Sequence, residues 1–167
     1  YKGDEIADYS HNYKLFGTGA GEEIKTTSVM FYDDIRAESL TAVQQLSSAM
    51  TKSESYRGEV DVEALDVTLR MSTTYFIGDK GDEIADYSHN YKLYGTGAGT
   101  EIKTTGVMYY EGTRATELTA EQQLSAAMDR SESYRGDMVD VDTGDLALDA
   151  TKRMSTTYFI GDKGDEI

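Results

Sequence analysis

The sequence predicts a mainly β fold made of tandem modules of about 80 residues, each a small β-sandwich or β-roll that can include one short helix. Three observations lead to this prediction. Residues Lys2–Gly58 align without a gap on Lys80–Gly136, and the two segments differ at 13 of 57 positions. Most of each copy alternates apolar and polar residues, which is typical of strands with one buried face. The chain has 13 Tyr and no Pro, and both properties suit uninterrupted β-ladders.

The repeat sets the predicted domain boundaries at residues 2–79 for the first module and 80–162 for the second. Residues 163–167 repeat the KGDEI of Lys2–Ile6 and begin a third copy. Self-similarity of this kind is typical of tandem arrays. We therefore expect the chain to be a piece of a longer array or a processed form, or to pair so that one chain's last strand completes the next chain's first module. A module of this size buries a modest core, so neighbouring copies are expected to stabilise it.

Within the first copy, alternation and turn residues predict strands separated by glycine-rich turns. In the last predicted strand, Thr73, Tyr75 and Ile77 are expected to share a face. The predicted strands are Ile6–Phe16, Glu23–Tyr32, Tyr56–Val62 and Val67–Ile77, and the predicted turns are Gly17–Gly21 and Gly78–Gly81.

The segment Glu38–Lys52 is the exception to this alternation. Read as a helix, it carries an apolar stripe of Ala42, Leu46, Ala49 and Met50. Thr41 and Gln44 have the spacing of a capping box, as do Thr119 and Gln122 in the second copy. Read as a strand, the segment alternates less well, because Gln44 interrupts its apolar face. The helix is favoured, and the strand stays open as the alternative.

Differences between the copies predict which positions lie at the surface. Val43 in the first copy is Glu121 in the second, and a position that accepts both residues is not expected in a core. The second copy also has five more residues before its last strand. Met138–Ala150 is therefore predicted to be a hairpin or loop at the edge of the module.

Composition excludes several classes of function. The net charge is −15, and each module carries −7, so nucleic acid and anionic lipid are not expected as partners. No run of 18 apolar residues is present, so membrane insertion is not expected either. The chain contains no Cys, which excludes disulfides and thiolate metal sites.

No arrangement of residues predicts catalysis. His11 and His89 are the only histidines, and each stands between tyrosines on an alternating strand without a triad partner. The Gly17–Gly21 segment looks like a phosphate loop, but a predicted strand follows it where a nucleotide-binding loop needs a helix. We therefore predict that the protein is not an enzyme and that these histidines pack on a sheet face.

One weak candidate for a metal site stands in the insert. Asp140, Asp142 and Asp145 have the oxygen chemistry that calcium prefers, although the Glu that closes a helix–loop–helix site is absent. Calcium is thus the one cofactor that the sequence raises.

The tandem segments KGDEIADYSHNYKL, EIKTT and MSTTYFIGDKG resemble acidic tandem-repeat proteins of archaeal surfaces, including sheath, S-layer and other fibre proteins. The resemblance covers the whole chain and lies in the style of composition. It implies an extracellular location, self-association and stabilisation by cations, and it carries no functional residue over to this chain.

These observations predict a structural repeat module of a self-assembling extracellular filament, sheath or surface layer, joined by β-strand pairing. The alternative is a multivalent adhesin or glycan-binding array with a polysaccharide partner, whose contacts would be Tyr9, Tyr13, Tyr87 and Tyr91. The residues predicted to take part in self-assembly are Lys2, Asp4, Ile6, Tyr158, Phe159, Ile160 and Ile167.

Overall fold

The computed structural model describes residues 5–161, and its strands form one antiparallel sheet of ten strands. The mainly β prediction is therefore confirmed. The strands are β1 (Tyr9–Tyr13), β2 (Ile24–Tyr32), β3 (Ile35–Arg36), β4 (Met50–Arg57), β5 (Arg70–Ile77), β6 (Ile84–Tyr91), β7 (Ile102–Tyr110), β8 (Thr113–Arg114), β9 (Met128–Arg135) and β10 (Arg153–Tyr158). The α-helices are α1 (Ala42–Ser47) and α2 (Ala120–Ser125), and the 3₁₀ turns are Ala37–Ser39, Val67–Leu69, Ala115–Glu117 and Ala150–Lys152.

Eight strands cross the sheet in the order β1-β2-β4-β5-β6-β7-β9-β10, while the short β3 and β8 pair with β2 and β7. β1, β2, β4 and β5 come from the first sequence copy, and β6, β7, β9 and β10 come from the second. The described strands lie in a single sheet and not in the two packed sheets of a sandwich. Segments between the strands, not a second sheet, cover both faces.

The first face is covered by the segments that lead into β5 and β10. In the first copy, Val60 packs with the buried Val29 and Tyr56. In the second copy, Met138 packs with Val107 and Tyr134. The insert forms the predicted hairpin, closed by an antiparallel bridge between residues 139 and 146. Its first residue is buried, so the hairpin shields the sheet and is not only an edge loop.

The second face is covered by the 3₁₀ turns and the two α-helices. Tyr32 packs with Ala37 and Leu40 in the first copy. Tyr110 packs with Ala115 and Ala126 in the second. Each of these tyrosines also donates its hydroxyl hydrogen to a backbone carbonyl, and the Tyr110 bond to Ala85 is 2.8 Å long. Buried aromatic rings thus pack and satisfy their polar ends at the same time.

The helix predicted over Glu38–Lys52 is present but short. Thr41 and Gln44 form the predicted capping box, and the equivalent pair in the second copy does the same. The expected apolar stripe is not the core contact, because Leu46 is half exposed and Ala42 is exposed. Leu40, which precedes the helix, is buried in its place. Val43 and Glu121 are exposed, as their variation predicted.

Several strand predictions need correction. The strand assigned to Tyr56–Val62 is wrong at both ends, since β4 runs from Met50, inside the predicted helix, to Arg57. The strands predicted over Ile6–Phe16 and Val67–Ile77 are shorter, as β1 and β5. The expected common face of Tyr75 and Ile77 is broken by a register shift between Tyr75 and Phe76. Tyr75 stacks on Tyr87 at the first face, whereas Ile77 packs with Ile84 at the second.

Several predictions fall on the ends of the chain. Lys2, Asp4, Ile167 and the third KGDEI segment, residues 163–167, lie outside the described residues. Over residues 5–161, neither α-helix has the length and apolar character needed to cross a bilayer.

Candidate interaction edges of the sheet

The two sequence copies meet where β5 pairs with β6. Their ladder holds six residue pairs, from Ser72 opposite Asn90 to Ile77 opposite Ile84. The turn between the strands includes Gly78, whose φ of 120° is a conformation that side-chain-bearing residues rarely adopt. The sheet is therefore continuous across the boundary between the copies.

An aromatic cluster lines the first face at this junction. Tyr75 of β5 stacks on Tyr87 of β6 with ring centroids 4.5 Å apart. His89 then packs edge-on against Tyr75, at 5.6 Å. Tyr91 shares a 3.1 Å hydrogen bond with Thr73, which is 1% exposed. Stacked and edge-to-face rings add to the free energy gained by burying their area.

Arg70 joins β5 to the loop that follows β6. Its Nε and Nη2 atoms donate to the Gly99 carbonyl oxygen at 3.1 and 2.9 Å. Its guanidinium lies 4.2 Å from the ring centroid of Tyr91. Its Nη1 atom also contacts the buried carboxylate of Glu54 at 3.3 Å. One planar cation thus satisfies a carbonyl, a ring and a carboxylate together.

Gly99 sits so close to the first copy that no side chain fits. A Cβ atom at this position would lie 1.6 Å from the carbonyl oxygen of Val67. Gly95, in the same loop, has an equally positive φ but nothing within 4 Å of such an atom. Glycine is therefore needed at position 99 for two reasons: its φ is positive, and the two backbones approach too closely for a side chain.

The turn between the copies is also anchored on the second face. The Glu83 carboxylate accepts the backbone N–H of Met50 at 2.9 Å. The Lys80 ammonium donates to the carbonyl oxygen of Gln45 at 2.5 Å. These bonds give the acidic KGDEI segment a structural role at the junction, because two of its charged side chains satisfy backbone groups of the preceding copy.

Burial changes the titration of His89. Desolvation lowers the pKa of the imidazole below its usual 6.5, and Arg70 acts in the same direction, although Asp137 opposes them. Its Nε2 atom lies 3.3 Å from an Asp137 oxygen without hydrogen-bond alignment. We therefore treat His89 as neutral at pH 7, and its contact with Asp137 is then not an ion pair.

The outer edge strand β1 has the same residues as Tyr87–Tyr91 of β6 but a different environment. Tyr13 is 44% exposed, whereas its counterpart Tyr91 is 7% exposed. The ring spacing is nevertheless the same: Tyr9 and His11 are 5.4 Å apart, and Tyr87 and His89 are 5.3 Å apart. A groove of about 480 Å³ runs along this edge, lined by His11, Asn12, Tyr13, Leu15, Lys25 and Thr26.

The opposite edge strand, β10, repeats the sequence of β5. Tyr158, the counterpart of Tyr75, is 73% exposed. Arg153, the counterpart of Arg70, is 47% exposed and lies 3.5 Å from a Glu132 oxygen. Burial raises the pKa of Glu132, but the Tyr134 hydroxyl, Arg130 and Arg153 outweigh it and hold the pKa below its usual value. The two sheet edges therefore carry the two halves of the junction.

The residues predicted for self-assembly divide between these edges. Ile6 packs beside the cluster that holds Tyr32, close to β1. Tyr158 and Ile160 are exposed at or just beyond β10. Phe159 is partly buried, and its N–H donates to the Asp129 carbonyl at 2.9 Å. The structure thus places the described members of the set on both outer edges.

Sequence reasoning missed Arg70, Arg153, Gly21 and Gly99; only the exact recurrence of Arg and Gly in both copies could have drawn attention to them.

The calcium candidates lie in the hairpin of the insert. Asp140 accepts backbone hydrogen bonds from Asp142 and Thr143 at 2.9 and 3.1 Å, and these bonds lower its pKa. Over the part of the chain that the structure describes, no three His, Asp or Glu side chains are arranged to hold a metal ion. Calcium binding by Asp140, Asp142 and Asp145 stays a prediction.

Comparison with protein-family models, with curated proteins and with solved structures finds no significant match to this chain.

We expect Gly99→Ala to destabilise the protein more than Gly95→Ala. Both substitutions place a side chain at positive φ, which costs about 1–2 kcal/mol. Only Gly99→Ala also forces a Cβ into the Val67 carbonyl, and overpacking adds about 1–3 kcal/mol. Urea unfolding followed by circular dichroism measures both values. Equal losses would contradict the close approach seen at this junction.

Acid is expected to destabilise the fold through His89. Since its folded pKa lies below its unfolded value of 6.5, the unfolded chain takes up the proton first as pH falls. Stability should fall as the pH drops through 6.5 towards the lower folded pKa, by at most about 1.4 kcal/mol per pH unit for one proton. Urea unfolding of the wild type and His89→Gln measures this slope, which should flatten in the variant. A slope that is unchanged in His89→Gln contradicts the assignment.

Proposed function

We propose that this chain is a structural repeat module of a self-assembling filament, sheath or surface layer, in which copies join by β-strand pairing. The observation that carries the proposal is the pairing of β5 with β6. This ladder links one sequence copy to the next, and the outer edges β10 and β1 are further copies of the same two strands. Exposed edges of this kind are templates for pairing with another chain.

The proposal takes the sequence repeat of about 80 residues as the building block of the assembly. Each copy contributes four strands to the sheet path and leaves one half of a junction on each side. In the proposed assembly, adding a further copy would form the same strand pairing that β5 and β6 already make within the chain. Contacts between unlike edges leave new edges exposed, so growth does not close after two copies.

Pairing β10 with β1 in the register of β5 with β6 makes specific contacts. Thr157 would lie opposite Ser10, as Thr74 lies opposite Ser88. Tyr158 would stack on Tyr9, as Tyr75 stacks on Tyr87. Rings that are now exposed on both edges would be buried, which favours association by the hydrophobic effect.

A second contact supports this register away from the ladder. Arg57 lies 4.4 Å from the ring centroid of Tyr94 and donates to the Leu93 carbonyl at 3.3 Å. The matching groups on the outer edges are the exposed Arg135 and the exposed Phe16, whose ring has no such cation over it among the described residues. The alignment that would pair β10 with β1 would also place Arg135 over the Phe16 ring.

We further propose that the protein acts without catalysis and outside the cell. The absence of a recognisable catalytic arrangement in the sequence and the resemblance to archaeal surface proteins support this part of the proposal. The adhesin alternative loses part of its support, because Tyr91 is buried and Tyr87 is partly buried. Tyr9 and Tyr13 are the tyrosines of that group left for a polysaccharide, and they occupy the proposed docking edge.

Electron microscopy of the purified chain tests the function. Eight strands per chain at about 4.8 Å spacing predict an axial repeat of about 38 Å, with a sub-repeat of about 19 Å for each module. Because each copy carries −7, assembly should increase when salt screens the repulsion. Millimolar calcium and matched ionic strength in sodium chloride separate a specific cation effect from screening. Discrete monomers under every condition would contradict the proposal.

The register is tested by cysteine pairs, since the chain contains no native cysteine. We expect Ser10→Cys with Thr157→Cys to give disulfide-linked oligomers under mild oxidation, because opposed residues of an antiparallel pair lie within disulfide reach. Ser10→Cys with Ser155→Cys is the control, displaced by two residues on the same face. Denaturing gel electrophoresis without reductant measures both. Stronger linkage of the control pair would contradict the register and leave strand pairing itself in place.

A further inference from the structure

The contact that closes the junction on the first face is an arginine latch, formed by Arg70, Tyr91 and Gly99. The arginine binds the glycine carbonyl through two N–H groups and lies over the tyrosine ring. The loop backbone approaches so closely that only glycine fits at position 99. The first copy therefore contacts three features of the second: the Gly99 carbonyl, the Tyr91 ring and the space left by the missing side chain at position 99.

The same three groups occur once more in the chain, but separated. Arg153 stands at the start of β10, while Tyr13 and Gly21 stand at and beyond β1. Arg153 is 47% exposed, compared with 19% for Arg70. Nothing lies within 4 Å of where a Gly21 side chain would begin. We call these separated groups, Arg153 on one side and Tyr13 with Gly21 on the other, the open latch. They cannot meet within this sheet, because β10 and β1 are its opposite edges.

The receiving half of the open latch already has its closed conformation. In the loop after β1, the N–H of Lys14 and the N–H of Gly21 donate at 2.8 Å to Glu23 and Lys14. In the loop after β6, the N–H of Lys92 and the N–H of Gly99 form the matching bonds, also at 2.8 Å. The Gly21 carbonyl is therefore preorganised for a guanidinium, and little loop ordering opposes binding.

We infer that Gly21 and Tyr13 form a receptor for Arg153 of another copy of this chain, and that this latch selects the register of assembly. The inference rests on the proposed function. When Arg153 docks, the carbonyl of Ala150 takes the place that the Val67 carbonyl holds against Gly99. Gly21 is then a specificity-determining residue: it admits a partner backbone that any larger side chain excludes. The occupant is another copy of this chain. Within the described residues, the equivalent receptor, Tyr91 with Gly99, holds Arg70 at the start of β5 of the first sequence copy.

The chain provides a matched control for testing Gly21. Gly17 and Gly21 have φ values of 79° and 76°, and both have open space around the position of a Cβ. Alanine should therefore strain both positions to the same extent in the isolated chain. Only Gly21 corresponds to a position that becomes closed at the junction, since Gly95, the counterpart of Gly17, stays open.

The experiment compares the critical concentration for assembly of wild type, Gly17→Ala and Gly21→Ala by sedimentation. Urea unfolding below that concentration checks that the two variants are equally stable. We expect Gly17→Ala to stay within about 2-fold of wild type and Gly21→Ala to raise the critical concentration at least about 10-fold, because its Cβ meets a backbone oxygen. Equal critical concentrations for the two variants would overturn the latch while the proposed function stands. A wild type that never assembles would overturn both.

A second pair of variants tests the arginine. We expect Arg153→Lys to raise the critical concentration about 5-fold or more, because lysine lacks the planar fork that binds one carbonyl through two N–H groups. Arg130→Lys is the control, since Lys52 occupies the equivalent position of the first copy. Its critical concentration should change less than about 2-fold. An unchanged value for Arg153→Lys would show that charge alone suffices and would overturn the assigned geometry.

Discussion

The pairing of β5 with β6 is the constraint on which the rest of this structure depends. Backbone N–H and C=O groups at a sheet edge need partners, and at the boundary between the two copies β5 and β6 supply them to each other. The ladder fixes the register, which in turn sets which side chains meet across the boundary. The tyrosine stack, the arginine latch and the anchored turn all follow from that one alignment. A shift by a single residue would move the tyrosines to the opposite face.

A consequence is that identical segments have different properties in one molecule. The segment YSHNY has four exposed residues in β1 but only one in β6, although its internal ring spacing hardly changes. β6 lies between β5 of the first copy and β7, whereas β1 is an edge strand that pairs with β2 alone. His89, at the centre of this segment in β6, is 5% exposed, and its burial lowers its pKa.

The parts of this fold that sequence predicted are those fixed by local rules. Residues that favour strands located β2, alternation located β5, and the Thr–Gln spacing located both helix starts. The errors arose where tertiary contacts decide. Met50–Lys52 reads as the end of a helix, but pairing with β2 and β5 makes it the start of a strand. The register shift after Tyr75 leaves no mark in the alternation. At the junction, Tyr87 and Tyr91 are predicted from sequence only as polysaccharide contacts of the adhesin alternative, and the role of Gly99 depends on a backbone approach that spacing cannot reveal.

The edges themselves suggest how association is kept under control. Proteins commonly protect exposed edge strands with Pro, Lys or inward-pointing charges. β1 contains none of these, and β10 carries one charge, Arg153, which the latch would use. Local protection is therefore weak at both edges. In the proposed assembly, contact would be opposed by the acidic field of the whole chain, which is longer in range and sensitive to ionic strength. A chain built in this way can keep its edges ready to pair and leave the onset of pairing to the surrounding solution, because screening lowers the repulsion without any change of fold.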